Sequence, residues 1–369
     1  MNRDVLEVPS KIRPYTVRFS DSWDSLEGTA GPGDYLCIVD ENVYRLYQQK
    51  IPLFRSLPEQ NRLILPIHED HKTLTGVEKV YDALVPRSSK KNITLIAIGG
   101  GILQDVVGFA ASTIYRGIRW VYVPTTLLAQ SDSCIGGKTS INYKGYKNLL
   151  GTFYPPYEVL IFPGFLDSLS EEDYFSGLGE VVKLHLLDGK GSTEWYVAHE
   201  KAIAQREPQS RRDALQNSLR IKIGYIAEDE FDQGRRNMLN FGHCYGHALE
   251  SASNFAVPHG QAVFVGMLYA NIVARRRGMQ SVGFEASVSE LIIRHIVSSL
   301  SPDYFDQERI LGALRKDKKR TGKDIAIILL SDNYSARRVS DLSDSEFQLA
   351  NEELKERLKS KLSATAARA

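Results

Sequence analysis

The run Arg236-Asn237-Met238-Leu239-Asn240-Phe241-Gly242-His243-Cys244-Tyr245-Gly246-His247-Ala248 gathers the residues best suited to chemistry, and His259-Gly260 follows after a short gap. His243 and His247 are four apart, so on a helix both imidazoles leave from one face. His259 comes after Pro258 and ahead of a second helical run, which lets the chain fold it back towards the first pair. Three histidines with an upstream acid make an open metal site, because catalytic zinc takes three protein ligands and keeps a fourth position. The same spacing also fits two ordinary surface histidines. Arg236, Asn240 and Gly242 weigh against that, since a buried-looking run seldom carries so many polar groups without a ligand for them.

The elements around this run fall into two kinds. With 369 residues the chain is long enough for two domains, and 43% apolar with 25% charged residues is the composition of a soluble globular protein. Short apolar runs at residues 15–19, 35–39, 63–67, 94–98, 120–123 and 159–162 alternate with polar or helical stretches, the pattern of a mostly parallel sheet covered by helices. Pro163-Gly164 marks a boundary. Beyond it, helical periodicity runs through 171–187, 211–229, 239–253, 260–277 and 288–300, with one hairpin, 324–330 and 336–339, around Asp332-Asn333. The expected architecture is an N-terminal α/β domain, 1–165, followed by a helical domain, 166–369, with a frayed tail from Ser360 onward.

Composition also excludes some roles. A net charge of +1 gives no electrostatic reason for a nucleic-acid or membrane partner. The longest apolar run, 262–274, is interrupted by Gly266 and Asn271 and is too short to span a bilayer. The run after Met1 reads as a strand-like alternation, so no signal peptide is expected. Cys37, Cys134 and Cys244 are odd in number and far apart, which predicts reduced thiols in a cytoplasmic protein.

Two glycine-rich stretches lie in the first half. Gly99-Gly100-Gly101 ends a strand and leads into a helix through Leu103 and Asp105, a turn that lets a diphosphate approach the backbone N–H groups. A tight turn with close helix packing reads the same glycines without a ligand. Gly136-Gly137-Lys138-Thr139 resembles the end of a P-loop, but the first glycine of that motif has no counterpart at Gln130-Ser131-Asp132. What remains is a loop rich in Lys, Thr and Asn, suited to an anionic substrate. Glu180-Val181-Val182-Lys183 puts a carboxylate and an ammonium on one helix face, which alone reads as a surface ion pair.

Taken in order, Gly99-Gly100-Gly101-(x)3-Asp105, Arg116-Gly117, Val123-Pro124-Thr125-Thr126-Leu127-Leu128-Ala129, Asp132, Gly136-Gly137-Lys138-Thr139, Lys147-Asn148, Glu180-Val181-Val182-Lys183, Asn240-Phe241-Gly242-His243-(x)3-His247, His259-Gly260 and Asp317-Lys318-Lys319 resemble 3-dehydroquinate synthase and, more broadly, the sugar phosphate cyclases. The resemblance runs from about Asp40 to Leu330. It implies a Rossmann-like α/β domain binding NAD, a helical domain holding Zn2+ or Co2+, and a homodimer. By resemblance Glu180, His243 and His259 are the metal ligands, and His247 sits beside the substrate phosphate. Asp132, Lys138, Asn148, Lys183, Lys222, Arg236, Asn240, Lys318 and Lys319 match substrate residues, and Arg116 matches one that serves the neighbouring subunit. Asp40, Asn42, Glu69, Lys72, Gly100, Gly101, Asp105, Thr125, Thr126 and Lys147 fall at cofactor positions.

The implied reaction is a transient oxidation of a sugar phosphate by NAD+, β-elimination of phosphate, return of the hydride, and an intramolecular aldol closure. The metal polarises the reacting oxygen, and the cofactor stays enclosed. Two departures stand out: Gln261 replaces the family's usual Glu after His-Gly, and Asp229-Glu230-Phe231-Asp232 replaces Asp-Glu-Arg-Glu. The stretch from Gly145 to Pro156 looks more like cyclases of sedoheptulose 7-phosphate. Those cyclases and the 2-deoxy-scyllo-inosose synthases tend to lose the residues matching Arg236, Asn240 or His247, all present here. Since a buried guanidinium needs an anion, the expected substrate is 3-deoxy-arabino-heptulosonate 7-phosphate or an amino analogue. The alternatives are a neutral sugar phosphate such as glucose 6-phosphate or sedoheptulose 7-phosphate, a metal-dependent NAD alcohol dehydrogenase of the glycerol dehydrogenase type, and an inactive relative.

Overall fold

The computed structural model describes residues 4–30, 33–87, 90–315 and 325–362. Lys318 and Lys319, the first residue of the expected 324–330 strand, and the tail beyond 362 lie outside the described residues, as does the start of the chain. Two compact units emerge: Met1–Leu169 with Arg211–Phe231, and Ser170–Ser210 with Asp232–Ala369.

The first unit is built on strands β1 (Val5–Val8), β2 (Tyr15–Phe19), β3 (Tyr35–Asp40), β4 (Arg62–Leu65), β5 (Thr94–Gly99), β6 (Arg119–Pro124), β7 (Lys138–Tyr143), β8 (Tyr146–Phe153) and β9 (Glu158–Ile161). Seven of them form one sheet in the order β1-β2-β9-β6-β5-β3-β4. Only the β1–β2 pair is antiparallel within it. Strand β5 is buried throughout, and so is β6 beyond its first residue, as near-continuous Val, Ile and Ala runs require of strands covered on both faces. The connection from β3 leads outward to β4, whereas that from β5 leads the other way to β6. The carboxyl ends of β3 and β5 therefore flank a switch point, where open α/β sheets bind ligands.

The stretch expected to be an irregular loop between Gly136 and Asn148 is instead the antiparallel hairpin β7–β8. Its two-residue connection, Lys144-Gly145, has φ of 48° and 79°, the double positive φ of a hairpin turn. Lys, Ser and Asn at alternate positions concealed the period of two, because only Thr139 and Ile141 are buried in β7.

The second unit contains the helices Glu171–Asp188, Lys190–Ala204, His243–Ala252, His259–Arg276, Val282–Arg294, Gln307–Arg315 and Asp344–Arg357, with a hairpin of β10 (Ile325–Leu330) and β11 (Ala336–Leu342). The His259–Arg276 helix is its axis. Every residue from Gly260 to Ala274 is buried, which accounts for a run that is apolar on all sides. The continuous helix expected over 239–253 is broken. A 3-10 turn covers Arg235–Asn240, and Gly242, at φ 78°, starts a new helix at His243. The helix expected at 288–300 begins and ends six residues earlier.

The span expected as one helical domain, 166–369, is also interrupted, because Arg211–Phe231 returns to the first unit. Ion pairs hold it there: Arg211 to Asp167 at 2.5 Å, and Arg212 to Asp4 at 2.6 Å and Asp21 at 3.0 Å. Glu230 accepts from Ser10 Oγ and from Lys11 N at 2.5 and 2.7 Å. Among the described residues, no helix is long and apolar enough to cross a membrane.

Candidate functional site

Three helices of the second unit meet through glycines. A Cβ on Gly179 would fall 2.4 Å from Gly260 O, and one on Gly260 would fall 1.7 Å from Ser176 O. Likewise a Cβ on Gly266 would lie 1.8 Å from Gly242 O. Side-chain-free positions are the only way to bring these backbones so close. Each of the three expected ligands is the immediate neighbour of one of these glycines: Glu180 of Gly179, His243 of Gly242, His259 of Gly260. The helix packing that buries the core also sets these three side chains face to face.

Glu180 Oε1 lies 3.2 Å from His259 Nε2 and 3.5 Å from His243 Nε2. His243 Nδ1 is 3.2 Å from Phe241 O, and a carbonyl can only accept, so Nδ1 carries the proton and Nε2 is left bare. His247 joins the group as well: nitrogens of His243, His247 and His259 all lie within 4.8 Å of one another. Both expectations, three histidines from spacing and Glu180 with two histidines from resemblance, thus describe overlapping sets of one cluster. One carboxylate and two imidazoles suit a borderline divalent ion such as zinc.

The electrostatics agree with that chemistry. Burial alone would raise Glu180, but Lys183, His243 and His259 hold it well below the usual carboxylate range. Burial and then Lys183 hold His243 well below the usual imidazole value, so it is a neutral donor. Burial pulls His259 down, yet Glu250 and Glu180 lift it to about 10. A cation entering here displaces that proton. The Glu180–Lys183 pair is no surface salt bridge: the two side chains are 1% and 2% exposed and bonded to each other.

Nearby in the chain, Arg236 is buried on the Arg235–Asn240 turn, and Asn240 Nδ2 donates to Asn237 O at 2.9 Å. Gln261 is fully buried and bonded to the end of the Val282–Arg294 helix and the chain after it. Its Nε2 donates to His295 O at 3.1 Å and its Oε1 accepts from Val297 N at 2.9 Å. The departure from the family's usual Glu is therefore confined to the core.

In the first unit, Lys72 and Asp105 pair at 2.5 Å, and Lys72 Nζ also donates to Asn148 Oδ1 at 2.6 Å. Burial keeps Asp105 above the usual range despite Lys72. Ser140 donates to Asp105 through N at 2.8 Å and Oγ at 3.0 Å. Asn142 links Glu69 at 2.9 Å to Asn148 N at 2.9 Å, and Lys147 lies 3.7 Å from Glu69. Asn148, matched to substrate by resemblance, thus sits among residues matched to the cofactor. Asp40 caps the Glu41–Tyr47 helix through Asn42 N at 2.8 Å. Gly100 caps the Gly101–Thr113 helix with no side chain, leaving its first N–H groups for an anion. A Cβ on Gly100 would come within 3.1 Å of Thr126 Cγ2, and Thr125 N donates to Gly99 O at 3.1 Å, which sets both threonines beside the turn.

Asp132 lies on a π-turn, Ala129–Ser133, and buried Lys222 reaches it at 3.0 Å to its carboxylate and 2.7 Å to its carbonyl. Lys138 is exposed at the start of β7. Arg116 is exposed on a turn where Tyr115, Arg116 and Gly117 all have positive φ, at 50°, 65° and 117°. Sequence reasoning passed over Ser140, Asn142 and Glu250. Glu250 carried a legible signal, since His243, His247 and Glu250 recur at the i, i+4, i+7 spacing of one helix face.

Comparison with known proteins places these observations in a family. Residues 62–176 match the 3-dehydroquinate synthase N-terminal model and residues 177–320 the C-terminal one. The chain is 34% identical over 314 residues to 3-dehydroquinate synthase of Syntrophotalea carbinolica, covering 84% of this chain and 86% of that protein. Among solved structures it is similar to 2-epi-5-epi-valiolone synthase from Streptomyces hygroscopicus subsp. jinggangensis with NAD+ and Zn2+ bound. That likeness has a TM-score of 0.83 at 25% identity, over 95% of this chain and 99% of that one. A 2-deoxy-scyllo-inosose synthase complexed with carbaglucose-6-phosphate, NAD+ and Co2+ shares the fold, with TM-score 0.80 at 23% identity over 95% and 99% of the two chains. The protein is thus an enzyme of the phosphate-eliminating sugar phosphate cyclases. It belongs to the 3-dehydroquinate synthase family.

Proposed function

We propose that the chain is an NAD- and divalent-metal-dependent cyclase that converts 3-deoxy-arabino-heptulosonate 7-phosphate, or an amino analogue, to the corresponding carbocycle. The observation that carries this reading is Glu180 Oε1 facing the Nε2 atoms of His243 and His259 at 3.5 and 3.2 Å. When bound, NAD supplies a reversible hydride acceptor, and Zn2+ or Co2+ at Glu180, His243 and His259 supplies charge for the reacting oxygen.

The chain's own residues do the rest. Lys183 keeps Glu180 ionised in its buried position. Arg236 offers a guanidinium to the substrate carboxylate, and Asn240 and His247 bond its oxygens. In the first unit, Lys222 is positioned by Asp132, and with Lys138 presents cations to phosphate. Asp40, Asn42 and Glu69 bond the cofactor's ribose hydroxyls. The Gly100-Gly101 helix start with Thr125 and Thr126 receives its diphosphate, while Lys72, Asp105, Lys147 and Asn148 order the intervening part. In the proposed homodimer, Arg116 serves the neighbouring copy. Free thiols at Cys37, Cys134 and Cys244 agree with a reducing compartment such as the cytoplasm.

A second reading, a cyclase of a neutral sugar phosphate, draws on the backbone likeness to the valiolone synthase. Phosphate release from 3-deoxy-arabino-heptulosonate 7-phosphate, sedoheptulose 7-phosphate and glucose 6-phosphate separates the two. Turnover of the carboxylated sugar alone is the expected result; turnover of only a carboxylate-free sugar removes the first reading. Net accumulation of NADH would point to a dehydrogenase instead.

A further inference from the structure

The His243–Ala252 helix carries a third functional side chain that the metal reading does not use. Glu250 Oε2 lies 3.2 Å from His259 Nδ1, the ring nitrogen opposite the one facing Glu180. Glu250 is 7% exposed, so its carboxylate is withdrawn from bulk water and committed to local donors. The chain is shaped to make this contact. After the helix, Asn254 and Phe255 take left-handed backbone, with φ of 49° and 62°, and Phe255 N donates back to Glu250 O at 2.8 Å. That reversal returns His259 to the helix it has just left.

We infer that Glu250 is a positioning residue for the metal centre, fixing the ring orientation and tautomer of His259 so that Nε2 is presented as the donor. The inference rests on the proposed ligand set of Glu180, His243 and His259. A ligating histidine whose other N–H meets a carboxylate has a fixed ring and a more electron-rich donor nitrogen. The two histidines are held differently. His243 gives its Nδ1 proton to a neutral carbonyl, Phe241 O, whereas His259 gives its own to a carboxylate. His259 is also the more exposed side chain, at 31% against 14%, and so the one more in need of an outer restraint.

The test is Zn2+ titration of metal-stripped protein against a chromophoric chelator, with the visible spectrum of the Co2+ form as a second readout. Wild type, Glu250→Ala, Glu250→Gln and His259→Ala are compared. Glu250→Ala should weaken Zn2+ binding about 10- to 100-fold. Glu250→Gln, nearly isosteric and able to accept through its amide oxygen, should lose about tenfold and keep the wild-type melting temperature within a few degrees. The Co2+ band should change shape in both. Zn2+ affinity and Co2+ spectra unchanged in Glu250→Gln and Glu250→Ala would overturn the inference. Unchanged Zn2+ binding in His259→Ala would instead remove the ligand set itself, and that outcome is read separately.

Discussion

Replacing Gly260 with alanine tests whether helix packing builds the proposed metal cluster of Glu180, His243 and His259. A Cβ there would lie 1.7 Å from Ser176 O and 2.6 Å from Ser176 C, both main-chain atoms that cannot swing aside. To open that contact to 3.0 Å the two helices must part by about 1.3 Å. The same movement stretches the Gly260 N to Ser176 Oγ hydrogen bond, now 3.0 Å. Overpacking of a core commonly costs about 1–3 kcal/mol, and displaced backbone puts this case at about 3 kcal/mol or more. For a unit of this size that is a fall in Tm on the order of 10 °C. The displacement also draws His259 Nε2 away from Glu180 Oε1, so Zn2+ affinity should drop alongside. Thermal and urea melts of metal-stripped protein, paired with chelator competition, measure both. Gly224→Ala is the control: it is exposed in mid-helix with nothing within 4 Å of its added Cβ, and should gain about 0.5–1 kcal/mol. If Gly260→Ala melts and binds Zn2+ as the wild type does, the helix crossing does not set the ligand geometry.

Other outcomes follow from the same structure. Burial holds His185 and His295 down to about 4 from 6.5, so both are neutral when folded. The unfolded chain binds these protons first, so their contribution is fully present above pH 6.5 and is lost as pH falls towards 4. That loss is about 3 kcal/mol for each group. Urea melts between those limits should steepen in pH dependence, and His295→Gln should flatten part of the slope; an unchanged slope counts against a neutral His295. His259→Ala should abolish Zn2+ binding and turnover together, and full retained activity would remove the metal assignment. Arg236→Lys should raise KM for a carboxylated sugar phosphate at least tenfold, because a point charge replaces a bidentate fork; an unchanged KM would place the carboxylate elsewhere. Lys72→Met leaves Asp105 buried without its ion pair and should weaken NAD+ binding about tenfold or more, read by calorimetry.

Much of the fold was written in local pattern. Strands buried on both faces read as unbroken apolar runs, and the His259–Arg276 helix as an apolar stretch too short for a membrane. The β7–β8 hairpin was hidden because its polar face holds the Lys72–Asp105–Asn148 cluster, so site chemistry overrode the alternation that marks a strand. The break at Gly242 was hidden for the opposite reason: apolar periodicity continues through it, and only a left-handed φ reveals the restart. His243 and His247 were visible as spacing. Glu180 was not, since an i, i+3 ion pair on a helix looks the same whether it faces water or a core. Its burial comes from Gly179 meeting Gly260, a contact between residues far apart in the chain.

The return of Arg211–Phe231 to the first unit bears on how the protein can be made. Emergence of the whole seven-stranded sheet from the ribosome does not complete that unit, because Lys222, Arg211, Arg212 and Glu230 have not yet been translated. Asp132, Asp167, the Ser10 hydroxyl and Lys11 N wait for partners that arrive only with residues 211–230. A fragment cut at the apparent boundary near residue 165 would lack them for good, so dissecting this enzyme calls for a permuted or spliced gene and not a simple truncation.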